Sequence, residues 1–416
     1  MNKNNNNNIP KRWRRMRIKD IGKVITGKTP STFDPLNFGG PYPFITIPDL
    51  KNQRYIEKTE RTLSEKGGRL MKGLKLPPKA VMVSCLATVG EIGITVKESF
   101  TNQQINSVIC DESKVVPEFL YYYFKYSKPK LLKYSGSVYV NISKSKFENF
   151  EVVIPEDINE QKRIADILSA FDDKIELNNK IINTLEEMAQ AIFKEWFIKF
   201  RFPGWEKVKF VDSELGRTPE GWEIGYLGDG VCSEIIKPGI ERFNGEKIYL
   251  ATADVVDTEI VNSSTKIAYE NRPIRANSQP VLNSIWFAKM INTYKVLFFF
   301  EGNKEDIEKY ILSTGFMGIK ALRNMQYYLY LFINSKNFHQ IKDTLVQGAV
   351  QEAITNTNVK EIKVLIPPEN LINKFNEEIE PLIIKIYKSK VENQKLSALR
   401  DLLLPKLMSP PREINI

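Results

Sequence analysis

Histidine is nearly absent from this chain and cysteine is scarce. The 416 residues contain one histidine, His339, and three cysteines, Cys85, Cys110 and Cys232, with no Cys-x-x-Cys spacing. A zinc site needs clustered Cys or His ligands, and a Ser–His or Cys–His pair needs a placed imidazole, so neither chemistry is expected. An odd number of cysteines argues against a disulfide framework, and a cytoplasmic location follows as the default. No apolar run approaches the roughly 18–20 residues that span a bilayer. The opening MNKNNNNNIPKRWRRMR has no apolar stretch, so no secretory signal is expected there. No glycine-rich cofactor loop follows a strand, no Asn-Pro-Pro-aromatic run occurs, and Pro48-Asp49 lacks a suitably spaced Glu-x-Lys. No catalytic residue, cofactor-binding residue or metal ligand is assigned. The chain reads as a recogniser, not a catalyst.

One apparent exception is GKVITGKT (22–29), which fits the phosphate-loop pattern G-x-x-x-x-G-K-[ST] letter for letter. That chemistry needs a helix to begin at the lysine, so that its first amides cradle the phosphates. Pro30 biases Thr29 towards an extended conformation, and Pro35 closes the window for a helix. Nucleotide binding is not expected here, and a freestanding nucleotide-dependent enzyme is the weaker reading.

Charge is present in abundance and is uneven. Against a net charge of +10, residues 1–155 hold 26 Lys and Arg and 13 Asp and Glu, so the whole excess lies in the first part of the chain. A basic globule with interleaved aromatics points to a phosphate backbone as partner. The candidate contacts there are Arg12, Arg14, Arg15, Lys51, Arg54, Arg61, Arg69, Lys72 and Lys75. In the later part they are Arg272, Arg275, Lys289, Asn292 and Lys295.

Apolar residues recur at helical spacing over residues 157–200, at Ile164, Leu168, Phe171, Ile175, Ile182 and Leu185, with Asn178 in the one polar seam position. Asp157 is the expected N-cap and Pro203-Gly204 the stop. A second rod follows 211 residues later, where Phe375, Ile379, Leu382, Ile386, Ser389, Asn393 and Leu396 repeat that seam in register. Leu399 and Leu403 then fall on Met188 and Ile192. SGSVYVNISKSKFENFEVVIP (135–155) matches QGAVQEAITNTNVKEIKVLIP (347–367), with Gly136/Gly348 and Ile142/Ile354 in register, and IPKRWRRMRI (9–18) matches TPEGWEIGYL (218–227).

The chain is therefore a duplication. The expected fold class is α+β: two pseudo-symmetric mixed α/β globules, each followed by a long helix, the two helices pairing as an antiparallel coiled coil. The expected divisions are 1–155, 156–203, 204–367 and 368–416. Strand-like runs are 42–47, 80–87 and 91–96 in the first globule, and 247–256, 284–289 and 294–300 in the second. Helices are expected over 117–134 and 324–335. Pro381 should bend the second rod or delay its start to near 378–382. Trp196, Phe197, Phe200, Phe202 and Trp205 end the first rod, either as core against the second globule, the favoured reading, or as a seat for a partner.

With these features together, the sequence resembles the DNA-specificity subunit of type I restriction–modification systems over nearly its whole length. The residues that carry the resemblance are IPKRWRRMRIKDIGKVITGKTPS, GRTPEGWEIGYLGD, NQQINSVIC (102–110), the stretches ending VVIP and VLIP, and INEQKRIADILSAFDDKIELNNKIINTLEEMAQAIFKEWF. The resemblance implies that the globules are target-recognition domains, each reading one half of a split site in double-stranded DNA. The helices would set the spacing and dock two methyltransferase subunits. S-adenosylmethionine would then sit on those subunits, and ATP with magnesium on a separate restriction and translocase subunit, with no cofactor in this chain. The alternative is a coiled-coil nucleic-acid-binding or interaction protein outside restriction–modification.

Overall fold

The computed structural model describes residues 12–51, 53–135, 141–347 and 352–410. The glycine pair Gly136/Gly348 of the repeat lies outside them. Two compact units emerge, Met1–Ile175 with Gln394–Ile416, and Glu176–Asn393. Each unit holds one globule and a stretch of both long helices.

In the first unit, Gly22–Thr26, Ile105–Cys110, Val81–Ser84, Ile92–Thr95 and Tyr55–Ile56 form a five-stranded sheet in that order. The inner strands Ile105–Cys110, Val81–Ser84 and Ile92–Thr95 are mostly buried, and the polar residues among them, such as Ser84, Thr95, Asn106 and Ser107, are buried with the rest. The helix Pro117–Ser135 lies on it, burying Phe119, Leu120, Tyr122 and Phe124. A second sheet orders Arg61–Leu63, Phe38–Ile45 and Phe100–Thr101. The second unit repeats the plan: Ser233–Ile236, Phe316–Ala321, Ser284–Ala288 and Val296–Phe299 match the first four strands of the large sheet. In both second sheets a central strand has one antiparallel and one parallel neighbour. Phe38–Ile45 pairs so with Arg61–Leu63 and Phe100–Thr101, and Lys247–Leu250 with Lys266–Ile267 and Tyr310–Ser313. The middles of the globules, which match poorly in sequence, thus share one topology.

The duplication holds down to register. Arg14 pairs with Ile154 in one unit, and their repeat equivalents Glu223 and Ile366 pair in the other. Ser143 caps a short helix by accepting from the Lys146 amide, and Thr355 does the same for Asn358. One difference is local. The single helix Pro117–Ser135 becomes two, Gln326–Ile333 and Lys336–Gln347, because Ser335 Oγ accepts the Phe338 amide and starts a new helix.

The first long helix runs Ile158–Phe193 and ends in a π-helical turn, Lys194–Ile198. Asp157 accepts the Asn159 amide at its start, and Gly204 lies beyond its end at φ 88°. The second runs Glu369–Met408. The expected late start near Pro381 is not found: the helix begins twelve residues earlier and continues through an exposed Pro381. A proline turned to water loses one main-chain bond there, where the freed carbonyl can still be hydrated.

The helices pair antiparallel within each unit. In the first, Asp172 meets Arg400, and Ile164 and Leu168 share a core with Leu404 and Met408. In the second, Asn178 meets Asn393, Glu186 meets Lys390, and Phe193 packs 6.5 Å from Phe375. Ile164, Leu168, Asn178, Ile182, Phe375, Ile379, Ile386, Ser389 and Asn393 are buried, while Phe171, Ile175, Leu185, Leu382 and Leu396 are half-buried. Past the polar layer the seam drifts by one position. Ala189 and Phe193 are buried where Met188 and Ile192 were expected, Leu404 replaces Leu403, and Leu399 is exposed. A helix turning every 3.6 residues falls behind a 3.5-residue repeat by about 20° per heptad. The aromatic group ends as core of the second unit: Phe197 packs at 4.7 Å on both Tyr328 and Phe375, although Trp205 stays partly exposed.

Among the described residues, no helix is long and apolar enough to cross a membrane, and no group of three or more His, Cys, Asp or Glu side chains could hold a metal ion.

Candidate nucleic-acid interface

The phosphate-loop look-alike is strand and ladder. Gly22–Thr26 pairs with residues 106–110, and the amides of Gly27 and Lys28 are bonded to the Ile105 and Thr101 carbonyls. Amides committed to main-chain partners cannot cradle a phosphate.

The cations of the first unit fall into three groups. Arg61, Arg69, Lys72 and Lys75 lie along one exposed segment that includes the helix Glu65–Leu70. Arg61 lies over the Phe38 ring at 4.2 Å, and Lys75 is bonded to Glu98 at 3.0 Å, so both heads are held. Arg12, Arg15 and Lys51 are exposed elsewhere, Arg15 paired with Glu151 at 2.9 Å, and Arg14 is half-buried.

Arg54 forms the third group alone, and it faces inward. It is 4% exposed, donates to the Tyr122 hydroxyl at 3.1 Å and pairs with Asp173. Tyr122 in turn donates to Asp172 at 2.7 Å, and Arg400 reaches the same carboxylate at 2.5 Å. Burial works against the Arg54 charge, but Tyr122 and Asp173 more than offset it and hold the guanidinium above its ordinary value. Arg54 is therefore a tie between globule and long helices, and it has no open face to offer a phosphate. A lone arginine in a lysine-rich loop gives no sign in sequence of which way it points.

In the second unit, Arg272 lies 4.0 Å over Tyr269 and donates to its carbonyl, while Arg275 next to it is exposed. Arg242, which the sequence did not single out, joins them, paired with Glu270 at 3.3 Å and facing the same ring. Lys289, Asn292 and Lys295 belong to a different loop. Lys295 is spent on the Thr252 carbonyl at 2.7 Å, and burial alone pushes Lys289 down. Asn292 is exposed with φ 54°, a left-handed conformation that asparagine tolerates. That loop is pinned from below by Lys342, 1% exposed, which donates to the Met290 and Thr293 carbonyls at 2.8 Å each.

Each unit thus presents one outward-facing basic loop cluster, on the side of its second sheet, with no catalytic constellation beside it among the described residues. Residues 10–187 match the family model of the type I restriction modification DNA specificity domain. The MjaIX type I restriction enzyme specificity subunit of Methanocaldococcus jannaschii is 28% identical over 96% of this chain and 93% of that protein. The chain is thus similar to type I restriction enzyme specificity subunits, and its residues 10–187 to their DNA specificity domain. The HindI specificity subunit of Haemophilus influenzae is 39% identical over 35% of this chain and 33% of its own length. The S subunit of the type I restriction–modification system of M. genitalium shares the fold, with a TM-score of 0.58, 16% identity and 98% of each chain covered.

Proposed function

We propose that this chain is the sequence-specific DNA-recognition and assembly subunit of a type I restriction–modification complex. Residues 1–155 and 204–367 act as two target-recognition domains, each reading one half of a split site. The helical stretches 156–203 and 368–416 act as spacers that set the gap and dock two methyltransferase subunits. Chemistry belongs to the partners: S-adenosylmethionine on the methyltransferases, and ATP with magnesium on the restriction subunit. The chain itself is not an enzyme.

The observation that carries this reading is the pairing of one shared plan with two unlike basic loop clusters. Equal frames bearing different side chains suit two different half-sites, because phosphate contacts position a reader while base-edge contacts specify it. Arg69, Lys72, Arg61 and Arg12 are the contacts proposed for the first domain, Arg272 and Arg275 for the second. Modified-base sequencing of host DNA tests it. A two-part motif methylated in both halves is expected, and the purified complex should bind that motif with a steep salt dependence. A contiguous motif, or binding indifferent to sequence, would count against the proposal.

A further inference from the structure

Two apolar side chains stand almost wholly in water, one in each unit. Phe33 and Ile274 are both 98% exposed. Their loops are built, not slack. Around Phe33, Asp34 accepts the Leu36 amide at 3.1 Å and the Lys66 ammonium at 2.6 Å, Asn37 Nδ2 donates to the Ser31 carbonyl, and Ser64 Oγ to the Leu36 carbonyl. Around Ile274, the Ala276 amide closes a turn on the Pro273 carbonyl at 2.8 Å, and the Arg275 carbonyl accepts the Thr314 amide at 2.9 Å. Each loop runs directly into a strand of its unit's second sheet, Phe38–Ile45 or Ala276–Ser278.

The rims are cationic. Lys66, Arg69 and Lys72 follow on the segment that holds the Phe33 loop, and Leu70, 65% exposed, sits one turn beyond Lys66 on the same helix face. The one acid in the Phe33 loop, Asp34, is neutralised by Lys66. Ile274 lies between Arg272 and Arg275, and the nearby Glu270 is paired with Arg242. An exposed aromatic or branched aliphatic residue on a rigid tip, ringed by positive charge, matches the wedges that DNA-bending proteins drive between base steps while neighbouring cations hold the phosphates.

We propose that Phe33 and Ile274 are DNA wedges, one per unit, each inserting its side chain between adjacent base pairs of the half-site its unit reads. This rests on the DNA-recognition reading and adds a mechanism to it. Part of the specificity then comes from how easily a given base step unstacks, not from hydrogen bonds to its edges.

The test uses the full-length chain co-purified with its methyltransferase subunits, and duplexes carrying the split motif recovered from host DNA. 2-Aminopurine replaces successive adenines, one per duplex, and its fluorescence reports unstacking. Methyltransferases flip their target base, so the reporter is kept off the methylated adenines, and a rise at one further step in each half-site is expected. Phe33→Ala should abolish the rise in one half-site only and weaken binding about tenfold, the scale of one base–aromatic stack. Ile274→Ala should do the same in the other half-site, and Phe33→Trp should retain the signal. Melting temperatures should not move, since neither side chain packs against the protein. Fluorescence rises that persist in both alanine variants, or no rise with wild type bound, would overturn the wedges while leaving DNA recognition intact. Loss of methyltransferase binding with normal DNA signals would reassign the tips to a protein partner and equally overturn the proposal. Failure of the wild-type complex to prefer the motif over a scrambled duplex would remove the recognition reading, and the wedges with it.

Discussion

Asn178 Nδ2 donates a 2.9 Å hydrogen bond to Asn393 Oδ1 across the paired helices, and both side chains are buried. Asn393 Nδ2 passes the chain on to Asn179 Oδ1 at 2.7 Å. The 211-residue repeat maps Asn178 onto Ser389 and Ile182 onto Asn393, so the symmetry copy of this pair is Ser389 with Ile182, which cannot bond. Ser389 Oγ is buried with no partner among the described residues. One off-centre layer of bonded amides on a seam that is mostly apolar specifies a single register, because sliding either helix would bury those amides unpaired. Asn178→Leu should lower stability by about 1–3 kcal/mol in urea melts, the cost of stranding a buried amide. Asn178→Leu with Asn393→Leu should recover most of that while losing uniqueness of pairing, read by cross-linking between introduced cysteines. A single variant as stable as wild type would show that the layer does not hold register.

Arg54 and Lys72 come from one lysine- and arginine-rich stretch yet have opposite tasks. Arg54→Ala removes the buried donor to the Tyr122 hydroxyl and releases Asp173, and should cost about 1–3 kcal/mol of stability, as leaving one partner of a buried hydrogen bond unsatisfied does. Arg69→Ala with Lys72→Ala should leave the melting curve unmoved and make the slope of log affinity against log salt shallower by roughly 2, one for each phosphate that is no longer neutralised. Denaturant midpoints and binding at several salt concentrations read both. An Arg54 variant of normal stability with a reduced salt slope would return that residue to the DNA.

What the sequence revealed and what it hid divide along a physical line. Seam positions such as Ile164, Leu168 and Ile379 were legible because burial imposes a period on the chain, and the repeat made each reading twice over. The seam beyond Ala189 was not, since a one-residue drift depends on accumulated helix phase. Shared topology in the globule centres was also hidden, because strand order is set by long-range pairing such as Phe44 with Phe100, which short windows do not see. Among cations, composition placed the excess charge in the first globule but could not tell Arg54, turned inward, from Arg69, turned out. Phe33 and Ile274 escaped notice because an exposed hydrophobe looks like a core residue on paper.

Spacer length should follow helix length. Adding four residues, about one turn or 6 Å, to each long helix beside the asparagine layer keeps the pairing matched while lengthening the stem. The recognised gap should then grow by about two base pairs, at roughly 3.4 Å each, with both half-sites unchanged. Modified-base sequencing of a host carrying the variant reads this directly. An unaltered gap would mean that the helices do not act as the ruler.

His339 supplies a probe with no background, since it is the only histidine in the chain. Its ring lies 4.6 Å from Tyr294 on the helix Lys336–Gln347, with Phe338, Lys342 and Asp343 as neighbours. Burial, reinforced by the Lys342 charge and only partly opposed by Asp343, lowers its pKa from 6.5 to about 4. A depressed histidine binds fewer protons folded than unfolded, so it leaves stability untouched above pH 6.5 and withdraws it as the pH falls from 6.5 towards 4. The single Hε1 resonance should titrate near pH 4 by NMR. His339→Phe, which keeps a ring against Tyr294 and cannot be protonated, should flatten the part of the acid-stability profile between pH 6.5 and 4. A midpoint near 6.5 in the native protein would place the imidazole in water and free the loop at Tyr294 from it.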